Sequence, residues 1–156
     1  MSKTILLAVD TTDHASTATE MARDLARDSG DRVLVLHVHE FAVGRFGRIQ
    51  VDCVEGEGEQ VVSDIVTSLR SSGISAEPEI RKTPIGHIAR TIVGIAEECD
   101  ARMIVLGSAS THDVPHLPFG YVSLRLLHLA TRPVLIVPRP PVPVTAAEPT
   151  VAVATA

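Results

Sequence analysis

The chain has 156 residues, 45% of them hydrophobic, a mean hydropathy of +0.23 and a formal net charge of −5. That length suits one domain with a full core, and an acidic balance without a Lys/Arg cluster excludes a general nucleic-acid binder. Aromatic residues make up only 3% and tryptophan is absent, so the core has to be built from Val, Ile, Leu and Ala.

The first apolar run, KTILLAV (3–9), is cut short by Asp10. It is too short for a signal peptide or a membrane span, so a cytoplasmic chain with no membrane partner is expected. A helix follows, with Ala18, Met21, Ala22 and Leu25 on one face, Thr12 or Asp13 to cap it and Gly30 to stop it. RVLVLHV (32–38) is a second unbroken apolar run. The acidic EGEGEQ (55–60) reads as a solvated turn and helix start, which the positive end of the helix dipole favours. The helix it opens covers about 57–72, with Val61, Ile65, Val66 and Leu69 inward.

ISAEPEIRK (74–82) differs: it alternates, and it carries Pro78, which is tolerated on an edge strand but not in a central one. Thr83 then reads as an N-cap and Pro84 as a first helical residue. The helix they predict has a stripe of Ile85, Ile88, Ala89, Ile92, Ile95 and Ala96. ARMIVLG (101–107) is another strand, about 120–130 a last helix, and RPVLIVP (132–138) a last strand. Beyond Pro138 the Pro-, Ala- and Thr-rich residues 139–156 read as a flexible tail, with residues 1–138 as the domain.

Unbroken apolar strands alternating with amphipathic helices predict an α/β fold. It is a doubly wound, five-stranded parallel sheet with helices on both faces. Placing the proline strand at one edge gives the order 3-2-1-4-5. The first and fourth strands are then neighbours whose connections leave to opposite faces, the switch point where such sheets bind ligands. Val9, Asp10, Leu106, Gly107 and Ser108 fall there. The last strand, short and strongly apolar, would be an open edge and predicts a homodimer through Arg132–Pro138.

Other reactive residues carry less. Cys53 and Cys99 lack metal spacing and read as idle thiols. His112, Asp113 and His116 are interrupted by Pro115 and Pro118, which disfavour the helix an H-x3-H metal pair needs, so no metal site is expected. His37 and His39 share a strand face, the first read as packing and the second left open.

The segments ILLAVDTTDHASTATEMARDLA, VLVLHVHE, TPIGHIARTIVGIAEECDARMIVLGS and RPVLIVP together resemble the universal stress protein family, over essentially all of residues 3–138. The resemblance implies the same five-stranded sheet, a dimer through the last strand, and ATP bound through a G-x2-G-x9-G-[S/T] loop. Here the loop positions are Gly107, Ser110, Gly120 and Tyr121, so the spacing is kept while two of the four defining residues differ. By the same resemblance Asp10 hydrogen-bonds the nucleoside and Val38 contacts adenine through its backbone. Ala8, Val9, Leu106 and Ala109 line the site, and Val122 and Ser123 belong to the phosphate-side helix start.

The function this implies is a regulatory stress-response protein, not a metabolic enzyme, that binds ATP (with Mg²⁺) or AMP weakly and acts on a protein partner of unknown identity. Glycine allows close approach to phosphate and positive φ; Ser110 restricts both, and the Tyr121 ring takes up phosphate space. These changes favour an alternative, an ATP-independent dimeric interaction module. A transferase of the wider nucleotide-binding superfamily is a third reading, for which the first loop supplies only His14.

Overall fold

The computed structural model describes residues 2–12, 14–51, 54–108 and 120–138. In chain order the elements are β1 (Thr4–Val9), α1 (His14–Ser29), β2 (Arg32–Gly44), β3 (Gly47–Gln50) and α2 (Glu57–Ser71). They continue with β4 (Ala76–Pro84), α3 (Ile88–Glu98), β5 (Ala101–Gly107), α4 (Tyr121–Leu129) and β6 (Val134–Val137). The parallel strands lie in the order β4-β2-β1-β5-β6, which is the expected 3-2-1-4-5 renumbered by one additional strand.

Strand residues alternate between two cores. Ile5, Leu7, Val33, Val35 and Val105 face α1 and α2, where they meet Ala18, Ala22, Ala26, Val62, Val66 and Leu69. Leu6, Leu36, Ile104 and Leu106 face α3 and α4, against Ala89, Ile92, Ile95, Ala96 and Leu126. Helices on both faces explain why the strands read as unbroken apolar runs. The alanine stripe of α1 brings that helix close to the sheet, and Met21 stays at its margin, 39% exposed. On α2 the innermost residue of the second turn is Val62; Val61 packs only against the rim of the core.

At the opposite end from the switch point, Asp31 ties three strands together. Its carboxylate accepts the Lys3 N–H at 2.8 Å and pairs with the Arg102 guanidinium at 2.9 Å. Burial pushes its pKa up, but the hydrogen bonds from Lys3, Ser29 and Arg102 outweigh it and hold the carboxyl below its usual value.

The structure differs from the sequence reading in two places. β2 does not end near residue 38; it runs to Gly44 and turns back as β3, pairing antiparallel from Gly44↔Gly47 to Phe41↔Gln50. Thr83 and Pro84 do not open a helix; they finish β4, with Pro84 in register with Phe41. The long β2 keeps a partner for β4, and the Ile85 N–H still donates to the Phe41 carbonyl at 3.2 Å. Only at Gly86, φ 81°, does the chain reverse, so α3 starts at Ile88 and Ile85 is 54% exposed. The edge placement of Pro78 holds: β4 pairs with β2 alone.

No helix among the described residues is long and apolar enough to cross a membrane. Residues 139–156, Cys53, and the stretch holding His112, Asp113 and His116 lie outside the described residues.

Candidate functional site

A cavity of about 250 Å³ opens beyond the carboxyl ends of β1 and β5, at the switch point. Ala8, Val9 and Asp10 reach it from β1, Val38 from β2, and Leu106 and Gly107 from β5. Gly120, Tyr121, Val122 and Ser123 close it from the start of α4. Of the twelve residues singled out in the sequence, these ten line one cavity; Ala109 and Ser110 lie outside the described residues.

Thr11, Ala15, Leu36, His37, Ile88 and Ile92 also line it and were missed. Leu36 was readable as the same-face neighbour of Val38, and Ile88 and Ile92 as one helical turn of a stripe already seen. For His37 the signal was the strand itself, which carries it to the level of Val9.

The walls divide the cavity into two chemistries. Leu36, Val38, Ile88, Ile92 and Leu106 form an aliphatic slot on the α3 side. The N–H groups at the start of α4 form a polar end. Gly120 is an extended N-cap without a side-chain cap, and the first helical bond runs from the Leu124 N–H to the Gly120 carbonyl. The N–H groups of Tyr121, Val122 and Ser123 therefore have no intrahelical acceptor, and with the helix dipole they favour an anion. Ser123 is buried, Tyr121 is 65% exposed, and the Arg125 guanidinium stands 5.8 Å from the Tyr121 ring. No lysine or arginine is among the described lining residues.

Asp10 forms a local turn: its Oδ1 accepts the Thr12 N–H at 3.0 Å and the Thr12 hydroxyl at 2.6 Å. This fixes the carboxylate at the cavity mouth and shapes the entry to α1.

Beneath the mouth, two buried imidazoles join β1, β2 and α2. The His37 Nδ1 lies 2.9 Å from the Val9 carbonyl, which can only accept, so Nδ1 carries the proton. His39 Nε2 lies 3.1 Å from Glu59 Oε1, and the two rings meet edge to face at 4.6 Å. A hydrogen bond from its own backbone N–H holds the Glu59 carboxyl below its usual value, against burial and aided by His39. Gly58 is the residue of α2 laid directly on both rings.

The universal stress protein family model matches residues 1–138. A Thermus aquaticus universal stress protein, from the QAH/OAS sulfhydrylase 3′ region, is 30% identical over 138 residues, 88% of this chain and 99% of that one. The universal stress protein YxiE of Bacillus subtilis is 27% identical, with 85% and 97% covered. Among solved structures, the universal stress protein from Archaeoglobus fulgidus in complex with dAMP superimposes with a TM-score of 0.65 at 25% identity. That match covers 86% of this chain and 96% of the other.

Proposed function

Since this chain belongs to the universal stress protein family, we propose that its β1/β5 cavity binds an adenine nucleotide. The protein acts as a cytoplasmic, regulatory stress-response dimer rather than as a metabolic enzyme. The observation that carries the reading is the convergence of an aliphatic slot and a helix N-terminus on one cavity at the switch point.

The base lies in the slot and meets the backbone of Val38. Arg32 donates its N–H to Lys3, so the even-numbered residues of β2 turn their peptide groups towards β1. The paired register ends at Val9↔His37, so the Val38 carbonyl points past β1 into the cavity, where an exocyclic amine can donate to it. Asp10 at the mouth accepts from the sugar hydroxyls. The first phosphate meets the N–H groups of Tyr121, Val122 and Ser123.

Phosphates beyond the first are held poorly. Ser110 replaces the glycine that lets backbone approach them, Tyr121 replaces a small hydroxyl residue, and no lysine or arginine joins them among the described lining residues. AMP should therefore bind at least as tightly as ATP, and Mg²⁺ should add little. Calorimetric titration with AMP, ADP and ATP, with and without Mg²⁺, tests this. Binding of AMP with no gain for ATP supports the proposal; no binding of any of the three overturns it and leaves the nucleotide-independent interaction module.

The dimer forms through the edge of β6, within Arg132–Pro138, and residues 139–156 follow the 1–138 domain as a Pro-, Ala- and Thr-rich tail. β6 carries no charge, whereas β4, at the other edge, carries Glu77, Glu79, Arg81 and Lys82 beside Pro78. Charges and proline protect an edge from pairing. Of these two edges, β6 is the one left inviting a partner.

A further inference from the structure

Against the expectation of no membrane partner, we propose that the β2–β3 hairpin is a finger that docks on an anionic lipid surface. This proposal is independent of nucleotide binding. β2 outlasts its neighbours: its register with β1 ends at His37 and with β4 at Phe41, so Ala42–Gly44 pair with β3 alone. The Arg45–Phe46 turn consequently stands about 13 Å beyond the end of the parallel sheet, at ~3.3 Å per residue. Gly47, φ 125°, allows this tight return.

What the finger presents is apolar and cationic. Phe46 at the tip is fully exposed, and Val43 and Ile49 are 77% and 60% exposed. Val43 stands opposite Arg48 and Ile49 opposite Ala42, so the two apolar side chains occupy opposite faces of the ribbon. Arg45 and Arg48 flank Phe46, and no acidic residue occurs from Phe41 to Val51, although the whole chain carries −5. The Arg48 guanidinium stacks 4.6 Å from the Phe41 ring, which keeps its charge along the ribbon.

The shape and the charge together select the occupant. A convex tip with apolar side chains on both faces is covered by a medium that closes around it, as the fluid headgroup layer does, with the arginines among the lipid anions. A second copy of the finger would set arginines against arginines. Glu55 and Glu57, at the shoulder where α2 begins, are repelled by the same surface and limit insertion to the tip.

The test uses the full chain with two kinds of vesicle, phosphatidylcholine alone and phosphatidylcholine with about one third phosphatidylserine. The chain has no tryptophan, so F46W provides a single fluorescent reporter at the tip. The proposal expects co-sedimentation and a blue shift of F46W emission with the anionic vesicles only, both reversed by high salt. R45E/R48E and F46S should each lower partitioning at least about tenfold while leaving far-ultraviolet circular dichroism unchanged. Failure of the wild-type protein to sediment with anionic vesicles overturns the proposal. So does sedimentation that F46S leaves intact, or sedimentation equilibrium showing that F46S instead dissolves a self-association.

Discussion

Two glycines in helices show how one added methyl group is judged by what it meets. At Gly58 an added Cβ would lie 2.3 Å from His37 Cδ2, 2.5 Å from His37 Nε2 and 2.8 Å from His39 Cε1. Both rings are buried and hydrogen-bonded, to the Val9 carbonyl and to Glu59, so they cannot swing aside without losing those partners. Overpacking of this kind costs about 1–3 kcal/mol, and the helix-propensity gain of alanine over glycine is at most about 1 kcal/mol. Gly58→Ala should therefore destabilise the protein by up to about 2 kcal/mol in urea denaturation. Gly94, inside α3, has nothing within 4 Å of its would-be Cβ and no positive φ. There the propensity term stands alone, and Gly94→Ala should stabilise by up to about 1 kcal/mol. Equal effects at the two positions would show that the imidazole contact does not constrain α2.

At the scale of elements, the start of α4 decides what the cavity can hold. On the proposed function, its N–H groups without an intrahelical acceptor would hold one phosphate, whereas extension to a second and third would depend on the loop that precedes them in sequence. Glycine at 110 and serine at 121 would return the family loop pattern at the two positions where this chain departs from it. The double variant S110G/Y121S should raise ATP affinity about tenfold, roughly 1.4 kcal/mol, with AMP affinity little changed. An equal gain for both nucleotides in calorimetry would place the obstruction in the adenosine half instead.

The elements also mark what the sequence could and could not disclose. Strand order was legible because unbroken apolar runs fix buried parallel strands and Pro78 fixes an edge. Thr83-Pro84 misled because the same dipeptide that starts a helix can finish an edge strand, where a missing N–H costs nothing if it faces away from the sheet. Which occurs depends on how far β2 extends, a non-local fact. β3 escaped because its turn, Arg45–Phe46 between Gly44 and Gly47, lacks the Asn-Gly or Asp-Gly pair that announces a two-residue hairpin. The cavity was read from strand ends and the family loop, which name residues next to the ligand path. Ile88, Ile92 and Leu36 belong to the core pattern and face the cavity only because the strands beside them stop short.

At the scale of the whole molecule, the β4 and β6 edges of the sheet differ in what they leave unpaired. On β6 the Pro133 and Val137 carbonyls accept bonds from Ile104 and Ser108, so the odd-numbered peptide groups face β5. Alternation turns those of Val134 and Ile136 outward. Val134, Leu135 and Ile136 are each only partly buried within one chain. Two β6 strands meeting antiparallel about a two-fold axis would join the sheets into one continuous sheet, with the outward groups of Val134 and Ile136 paired across the axis. Ile136→Pro would separate the proposed dimer from the fold. It removes an N–H that β5 does not use, a position where an edge strand tolerates proline, and it blocks the antiparallel ladder. In sedimentation equilibrium the wild-type protein should behave as a dimer and Ile136→Pro as a monomer with unchanged circular dichroism. A variant that stays dimeric would move the interface off β6.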